Sequence, residues 1–320
     1  MCTALTFGTD NHYFGRNLDL EYGYQEAVTI TPRNYPILPK NQPHYAMIGM
    51  ATVMDGYPLY YEATNEKGLS MAALNFPGNA VYLPPSDHKI NVSPFQLIPW
   101  ILGQCSNLIE AKKLLRQINA VDRAFRCDLP LTPLHWLIAD PSGSSVVEPM
   151  ADGLRLFDNP FGVLTNNPPF DYHLHHICQY LNCSPTPAEN CFCPQVELKP
   201  FSRGMGGLGL PGDFSSPSRF VKAAFVKLNS PVGDTENSRV NQFFHILSTV
   251  AMPRGSVQMA DGRHEITRYS CCCNTDTAIY YYKTYENSRI HGVSLFHEDL
   301  DSPQVVTYPL LMQEPFSMQN

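Results

Sequence analysis

Three residues near the start of the chain, Cys2, Arg16 and Asp19, are of the types that carry nucleophilic chemistry. A cysteine at position 2 becomes the first residue if Met1 is removed, and aminopeptidases remove a leading methionine when the next side chain is small. Thiol and α-amine then sit on one residue. The amine, with a reference pKa of about 7.7–8.0, is a base near neutral pH, within reach of the sulfur directly or through water. A neighbouring cation favours thiolate over thiol, and Gly15-Arg16-Asn17-Leu18-Asp19 supplies one a strand and a turn later. In this reading Arg16 stabilises the thiolate, while Asp19 accepts a hydrogen bond from the amine and orients it. Residues two apart share a strand face, whereas Arg16 and Asp19 are three apart, so both reach Cys2 only across a bend or bulge. The competing reading makes Cys2 an incidental residue at a frayed end and Arg16 with Asp19 a surface ion pair of little weight.

A second cluster points to different chemistry. His173, His175, His176, Cys178, Cys183, Cys191 and Cys193 crowd one segment and raise a metal-stabilised binding module as the non-enzyme alternative. Their irregular spacing, without a Cys-X-X-Cys pair, argues against it, so no metal and no cofactor are expected. GMGGLGLPG lacks the Lys-Ser/Thr ending and the spacing of a nucleotide fingerprint. Ten cysteines in a long chain without an export-type opening read as reduced thiols. Cys271, Cys272 and Cys273 are consecutive and alternate faces in a strand, which suits small buried packing residues.

The elements that must hold these residues are mostly strands. CTALTF, YFGRNL, AVTITP, YAMIGMATVM and GLSMAALNF are short apolar or β-branched runs bounded by Gly, Pro, Asn and Asp. From Ser93 to Ile118 the spacing of Ile109, Ala111, Leu114 and Leu115 turns helical. LHWLIAD, SSVVEPM and LRLFD return to strands around a Pro141-Ser142-Gly143 turn. Asp171 to Gln179 reads as a helix, followed by polar, Pro- and Gly-rich chain to about Pro217. SRFVKAAFVKL and VNQFFHILSTVAM read as amphipathic helices, before closing strands at RYSCCCN, AIYYYKTY, HGVSLF and VVTYPL. That order suits two sheets with helices outside them better than βαβ alternation. One α+β domain over 1–320 is expected from the length.

Charge and hydropathy exclude some partners. A net charge of -7 with 22 Lys+Arg provides no basic field for phosphate backbones, so no nucleic acid partner is expected. No apolar run approaches the length of about 20 residues that spans a bilayer. The opening MCTALTFGTDNHYFGRN lacks a basic region followed by an apolar one, and the chain reads as soluble and unexported.

Read together, MCT, FGRNLDLEYGY, TPRN, NEKGLSMAALNFPGNAVY, LHWLIAD, FGVLTNNPPFDYH, GLPGDFSSPSRF and TYENSRIHGVSLF resemble the choloylglycine hydrolase family. The likeness runs nearly end to end and is to its bile salt hydrolase branch, with penicillin V acylase as the neighbouring branch. The resemblance implies the four-layer αββα N-terminal nucleophile hydrolase fold and a cytoplasmic bacterial homotetramer. It implies a catalytic set of Cys2, Arg16, Asp19, Asn75 in LNFP, Asn166 in LTNNP and Arg219 in PSRF. Asn75 and Asn166 would donate to the oxyanion of the tetrahedral intermediate, and Arg219 would add positive potential. Asn166 is preferred to Asn167 because it follows GVLT directly.

The implied reaction cleaves the amide between a bile acid and glycine or taurine through a Cys2 thioester. Interception of that thioester by a free amino acid would re-conjugate the bile acid. Asn75, where penicillin V acylases more often carry Tyr, favours bile salts over penicillin V. Leu18 lies in the nucleophile's own motif and reads as a wall, while Met54, Phe125, Leu129 and Leu134 fall in segments that form the steroid pocket of relatives. Ordinary core is their other reading. Arg203, in Ser202-Arg203-Gly204, is associated by the resemblance with glycine conjugates, where an arginine would meet a carboxylate. A solvated loop arginine is its alternative.

Overall fold

Two antiparallel sheets carry the chain in a computed structural model that describes residues 1–8, 12–39, 42–313 and 316–320. The six-stranded sheet runs in the order β12 (Val163–Leu164), β1 (Cys2–Phe7), β2 (Tyr13–Leu20), β13 (Ile266–Asn274), β14 (Ile279–Thr284), β15 (His291–Ser294). The eight-stranded sheet runs β11 (Gly153–Asp158), β10 (Gly143–Met150), β9 (Leu134–Asp140), β6 (Ser70–Asn75), β5 (Tyr57–Asn65), β4 (Met47–Met54), β3 (Ala27–Thr31), β16 (Val306–Pro309). A short parallel pair, β7 (Ile90–Val92) with β8 (Ile118–Ala120), stands apart.

Alternation along the strands of the larger sheet explains the layering. Ile48, Ala72, Leu74, Leu137 and Ala139 join the core shared with the smaller sheet and with helices α4 (Ser216–Asn229) and α5 (Glu236–Ser248). Their neighbours Met47, Met71, Trp136 and Ile138 belong to a second core with α1 (Leu97–Gln104) and α2 (Leu108–Leu115). Helices thus cover both outer faces, and the α+β, four-layer αββα order expected from the sequence is the one present. No helix among the described residues is long and apolar enough to cross a membrane.

Two glycines set how closely strands approach. A Cβ on Gly15 would lie 2.0 Å from the Cys271 carbonyl oxygen, and one on Gly49 would lie 2.0 Å from that of Glu62. Only the missing side chain lets these backbones pass. A register shift between Thr267 and Tyr269 leaves Arg268 as the extra residue of β13, opposite the step from Leu18 to Asp19. The irregularity expected between Arg16 and Asp19 therefore exists, but on the strand paired with β2 and not on β2 itself.

Several elements differ from the sequence reading. β5, YPLYYEATN, is missing from that reading because its tyrosines and Glu62 interrupt an apolar run. The helical stretch after Ser93 is a 3-10 turn at Pro94–Gln96, then α1 and α2, before β8 begins at Ile118. The helix expected over 171–179 is α3 (Phe170–His176) continued by a 3-10 turn at Ile177–Tyr180. α5 opens earlier than its apolar pattern, at a Thr235–Ser238 capping box, and ends at Ser248. All ten cysteines fall among the described residues and none is bridged.

Candidate active site

Pairing within the six-stranded sheet brings the N-terminus to the second strand: Cys2 faces Leu18, and Ala4 faces Arg16. Cys2, Arg16 and Leu18 line one cavity of about 310 Å³ together with Asn75 at the end of β6. Met54, Phe125, Leu129 and Leu134 line the same cavity, so all four expected wall residues and Leu18 meet the candidate nucleophile. Sequence reading missed Leu20, Tyr24, Leu59, Tyr61, Phe95 and Leu131, which complete much of the apolar wall. They come from strands and a loop whose convergence is a matter of sheet order, with no local signal. The wall is held firmly. Phe95 packs edge-on to Phe125 at 5.3 Å, and Tyr82 Oη donates to Thr132 O while accepting from Leu134 N, both at 2.8 Å.

Around Cys2 the polar groups form one connected set. With Met1 in place, the nitrogen of Cys2 is a peptide N–H, standing where the α-amine stands once Met1 is gone. It donates to Asn166 Oδ1 at 2.8 Å. Asn166 Oδ1 also accepts from Arg219 Nη2 at 2.8 Å, and Asn166 Nδ2 donates to Asn75 O at 2.7 Å. Two donors on one atom and an acceptor on the other fix the orientation of this amide. Its backbone is fixed as well: Asn166 N–H donates to Ser216 Oγ at 2.8 Å, and the His173 ring lies 3.1 Å from Asn166 O through Nε2. Asn167 turns away, donating to Pro77 O at 2.5 Å, so the structure brings Asn166 and not Asn167 to Cys2.

Arg219 is no surface charge. It sits in the first turn of α4, 1% exposed, where Nη1 donates to Cys2 O at 2.5 Å and Thr3 Oγ1 at 2.6 Å, and Nε donates to Phe214 O at 3.0 Å. Burial lowers its pKa, with Asp19 and Cys2 pulling the other way. Arg16 is fully buried as well, its Nη1 donating to Tyr61 O at 3.1 Å and Ala73 O at 2.5 Å. Burial works against that charge, yet Cys2, Tyr269 and Glu62 around it outweigh burial and raise the Arg16 pKa.

Asp19 accepts from Thr267 Oγ1 at 2.6 Å through Oδ1, while its Oδ2 is buried without a partner. Burial raises its pKa, against the opposing pull of Arg219, the N-terminus, Thr267 and Arg16. Its backbone pairs with Met1: Met1 N donates to Asp19 O at 2.8 Å, and Asp19 N donates to Met1 O at 3.0 Å. The Met1 ammonium also pairs with Glu265, and burial lowers its pKa. Thr267, Ser216 and Glu265 were not singled out from the sequence.

Two other features weighed in the sequence do not line the cavity. Arg203 is exposed in the long polar segment and does not line the cavity. The histidines and cysteines of 173–193 are not gathered either: His173 is buried under Asn166, whereas Cys178 and Cys191 are exposed. Among the described residues, no group of three or more His, Cys, Asp or Glu side chains could hold a metal ion.

Residues 2–308 match the family model for linear amide C–N hydrolases, choloylglycine hydrolase family. The chain is 50% identical over 324 residues, 100% of both chains, to a bile salt hydrolase/transferase of Lactiplantibacillus plantarum. A variant of conjugated bile acid hydrolase from Clostridium perfringens superposes with a TM-score of 0.91 at 35% identity, covering 100% of each chain. Penicillin V acylase from Agrobacterium tumefaciens superposes with a TM-score of 0.73 at 18% identity over 96% of this chain and 90% of its own, a likeness of fold alone. The chain belongs to the choloylglycine hydrolase family of linear amide C–N hydrolases.

Proposed function

We propose that this chain hydrolyses the amide bond between a bile acid and glycine or taurine, through a thioester on Cys2 after removal of Met1. The observation that carries the reading is the cavity itself. Cys2, Arg16 and Asn75 stand in a chamber whose remaining wall is mostly apolar and aromatic, of Leu, Met, Phe, Tyr, Ala and Pro, which suits a rigid steroid with its polar bond at one end. The names of the relatives point to the same substrate class.

In the proposed reaction the Cys2 thiolate, stabilised by Arg16, attacks the amide carbonyl, and the α-amine formed from the Cys2 nitrogen takes the thiol proton. Asn166 Oδ1 holds that nitrogen, and Asp19, buried on the neighbouring strand, is the carboxyl proposed to favour its protonated form. Asn166 Nδ2 carries a second hydrogen besides the one given to Asn75 O, and it serves the oxyanion together with Asn75. The ammonium protonates the departing amine, and water activated by the same amine then cleaves the thioester. A free amino acid in place of that water returns a conjugate. The set of Cys2, Arg16, Asp19, Asn75, Asn166 and Arg219 is thus proposed as catalytic, with Arg219 acting on Cys2 through its carbonyl oxygen.

We further propose that the protein works in the cytoplasm as a homotetramer. The apolar side chains displayed at Leu181, Phe192, Phe201 and Leu208 support self-association. The deciding experiment pairs intact mass with release of glycine and taurine from their cholate conjugates, using penicillin V as control. Loss of Met1 with release of the amino acids is expected. Processed protein that cleaves only penicillin V would move the substrate to the acylase branch, and inert processed protein would overturn the reading.

A further inference from the structure

Behind Arg16 lies a buried carboxylate that the reaction above does not use. Glu62, on β5, is 1% exposed. Its Oε1 accepts from Tyr280 Oη at 2.5 Å and Cys271 Sγ at 3.5 Å, and its Oε2 accepts from Tyr269 Oη at 2.8 Å. Arg16 Nη1 stands 3.7 Å from the same Oε2. A guanidinium can only donate, so three X–H groups and an arginine around one carboxyl suit its ionised form. Burial raises the Glu62 pKa, and these partners pull it back.

A buried ion pair is a poor source of stability, because desolvation offsets most of the attraction. Its placement suggests a different use. Nη1 of Arg16 is committed to Glu62 and to the carbonyls of Tyr61 and Ala73, while Nη2 is buried without a partner on a side chain that lines the cavity with Cys2. We propose that Glu62 is a positioning residue: held by Tyr269 and Tyr280, it anchors the Nη1 edge of Arg16 and keeps Nη2 available at the cavity floor for the sulfur of Cys2. This rests on the reading of Arg16 given above.

The groups facing Glu62 are Arg16 from β2, Tyr269, Cys271 and Cys273 from β13, Tyr280 from β14, and its chain neighbour Tyr61. Those facing Cys2 are the amine, Arg16, Asp19 and Arg219. Two opposite signs follow. If Glu62 only contributes negative charge, its removal with Arg16 unmoved favours the Cys2 thiolate. If Glu62 holds Arg16, its removal disfavours the thiolate.

The test is the pH midpoint for alkylation of Cys2 by iodoacetamide in the processed protein, followed by the mass of the N-terminal peptide. Glu62→Gln is expected to raise the midpoint by about one pH unit, with alkylation below it slowed about tenfold. Glu62→Asp, which keeps the charge but shortens the reach, is expected to raise it less. Arg16→Met should raise it at least as far, and adding Glu62→Gln to Arg16→Met should raise it no further, because the anchoring effect passes through Arg16. The double variant removes both charges together, and with Glu62→Asp it keeps the comparison open if Glu62→Gln alone does not fold. A midpoint that stays or falls in the Glu62 variants while Arg16→Met raises it overturns the proposal alone. A midpoint unmoved by Arg16→Met overturns the reading of Arg16 and this inference with it.

Discussion

Asn166 is the side chain that links three parts of the site, since it joins Cys2 N, Arg219 and Asn75 O. Asn166→Ala is therefore expected to lower kcat by about 10²–10³, whereas Asn167→Ala, with its amide on Pro77 O, should stay within a few-fold; steady-state rates on a glycine conjugate distinguish them. Cys2→Ala should abolish turnover while moving Tm by only about 2–4 °C in a melting experiment, because the lost sulfur is small and its chemistry irreplaceable. Retained turnover would refute its role. At this scale the sequence was informative where residue type limits chemistry, as at Cys2, and uninformative where partners arrive from distant strands. Nothing near position 62 or 267 in sequence announces that Glu62 backs Arg16 or that Thr267 holds Asp19. Those contacts exist only because β13 pairs with β2 and the other sheet brings β5 across from it. Arg219, by local pattern a helix-surface charge, is buried because the first turn of α4 lies against Cys2 and Thr3 of β1.

Element by element, the strands that are apolar or β-branched runs were readable, and β5, interrupted by Tyr and Glu, was not. Helix existence was readable too, but starts depended on caps such as Thr235, which apolar periodicity does not report. Among the glycines that let strands approach closely, Gly15 lies nearest the nucleophile's strand. Gly15→Ala would drive β13 off β2 at Cys271 and is expected to lower unfolding free energy by about 2–3 kcal/mol, read from urea midpoints, with loss of turnover because Thr267 moves away from Asp19. A second expectation concerns His173 on α3 and His12 just before β2. Burial depresses both pKa values to about 4 from an ordinary 6.5. The folded protein keeps these rings neutral while the unfolded chain protonates them, so their contribution is complete above pH 6.5 and is lost as pH falls from 6.5 toward 4. Stability should fall by about 2 kcal/mol per ring between neutrality and pH 5. Urea midpoints against pH measure this, and the fall should shrink in His173→Gln. A flat profile in the parent protein would remove the argument.

For the whole molecule, the exposed apolar side chains of the 181–208 segment predict an assembly that Phe192→Ser with Phe201→Ser weakens, shifting sedimentation toward smaller species; an unchanged profile would place the contact elsewhere. Among the described residues the two sheets share no backbone ladder. Arg16, from one sheet, nevertheless reaches Tyr61 and Ala73 of the other, and Asn166, beside β12 of the first, reaches Asn75 of the second. The groups assigned to the chemistry are therefore, with Glu62 and its partners Tyr269 and Tyr280, also fasteners between layers whose apolar packing fixes direction poorly. A copy of the chain whose layers have docked a residue out of step keeps its strands and much of its core, but scatters these bonds and is inert. Turnover then doubles as a proofreading signal for docking, and partly refolded preparations should divide into fully active and silent molecules, with little between.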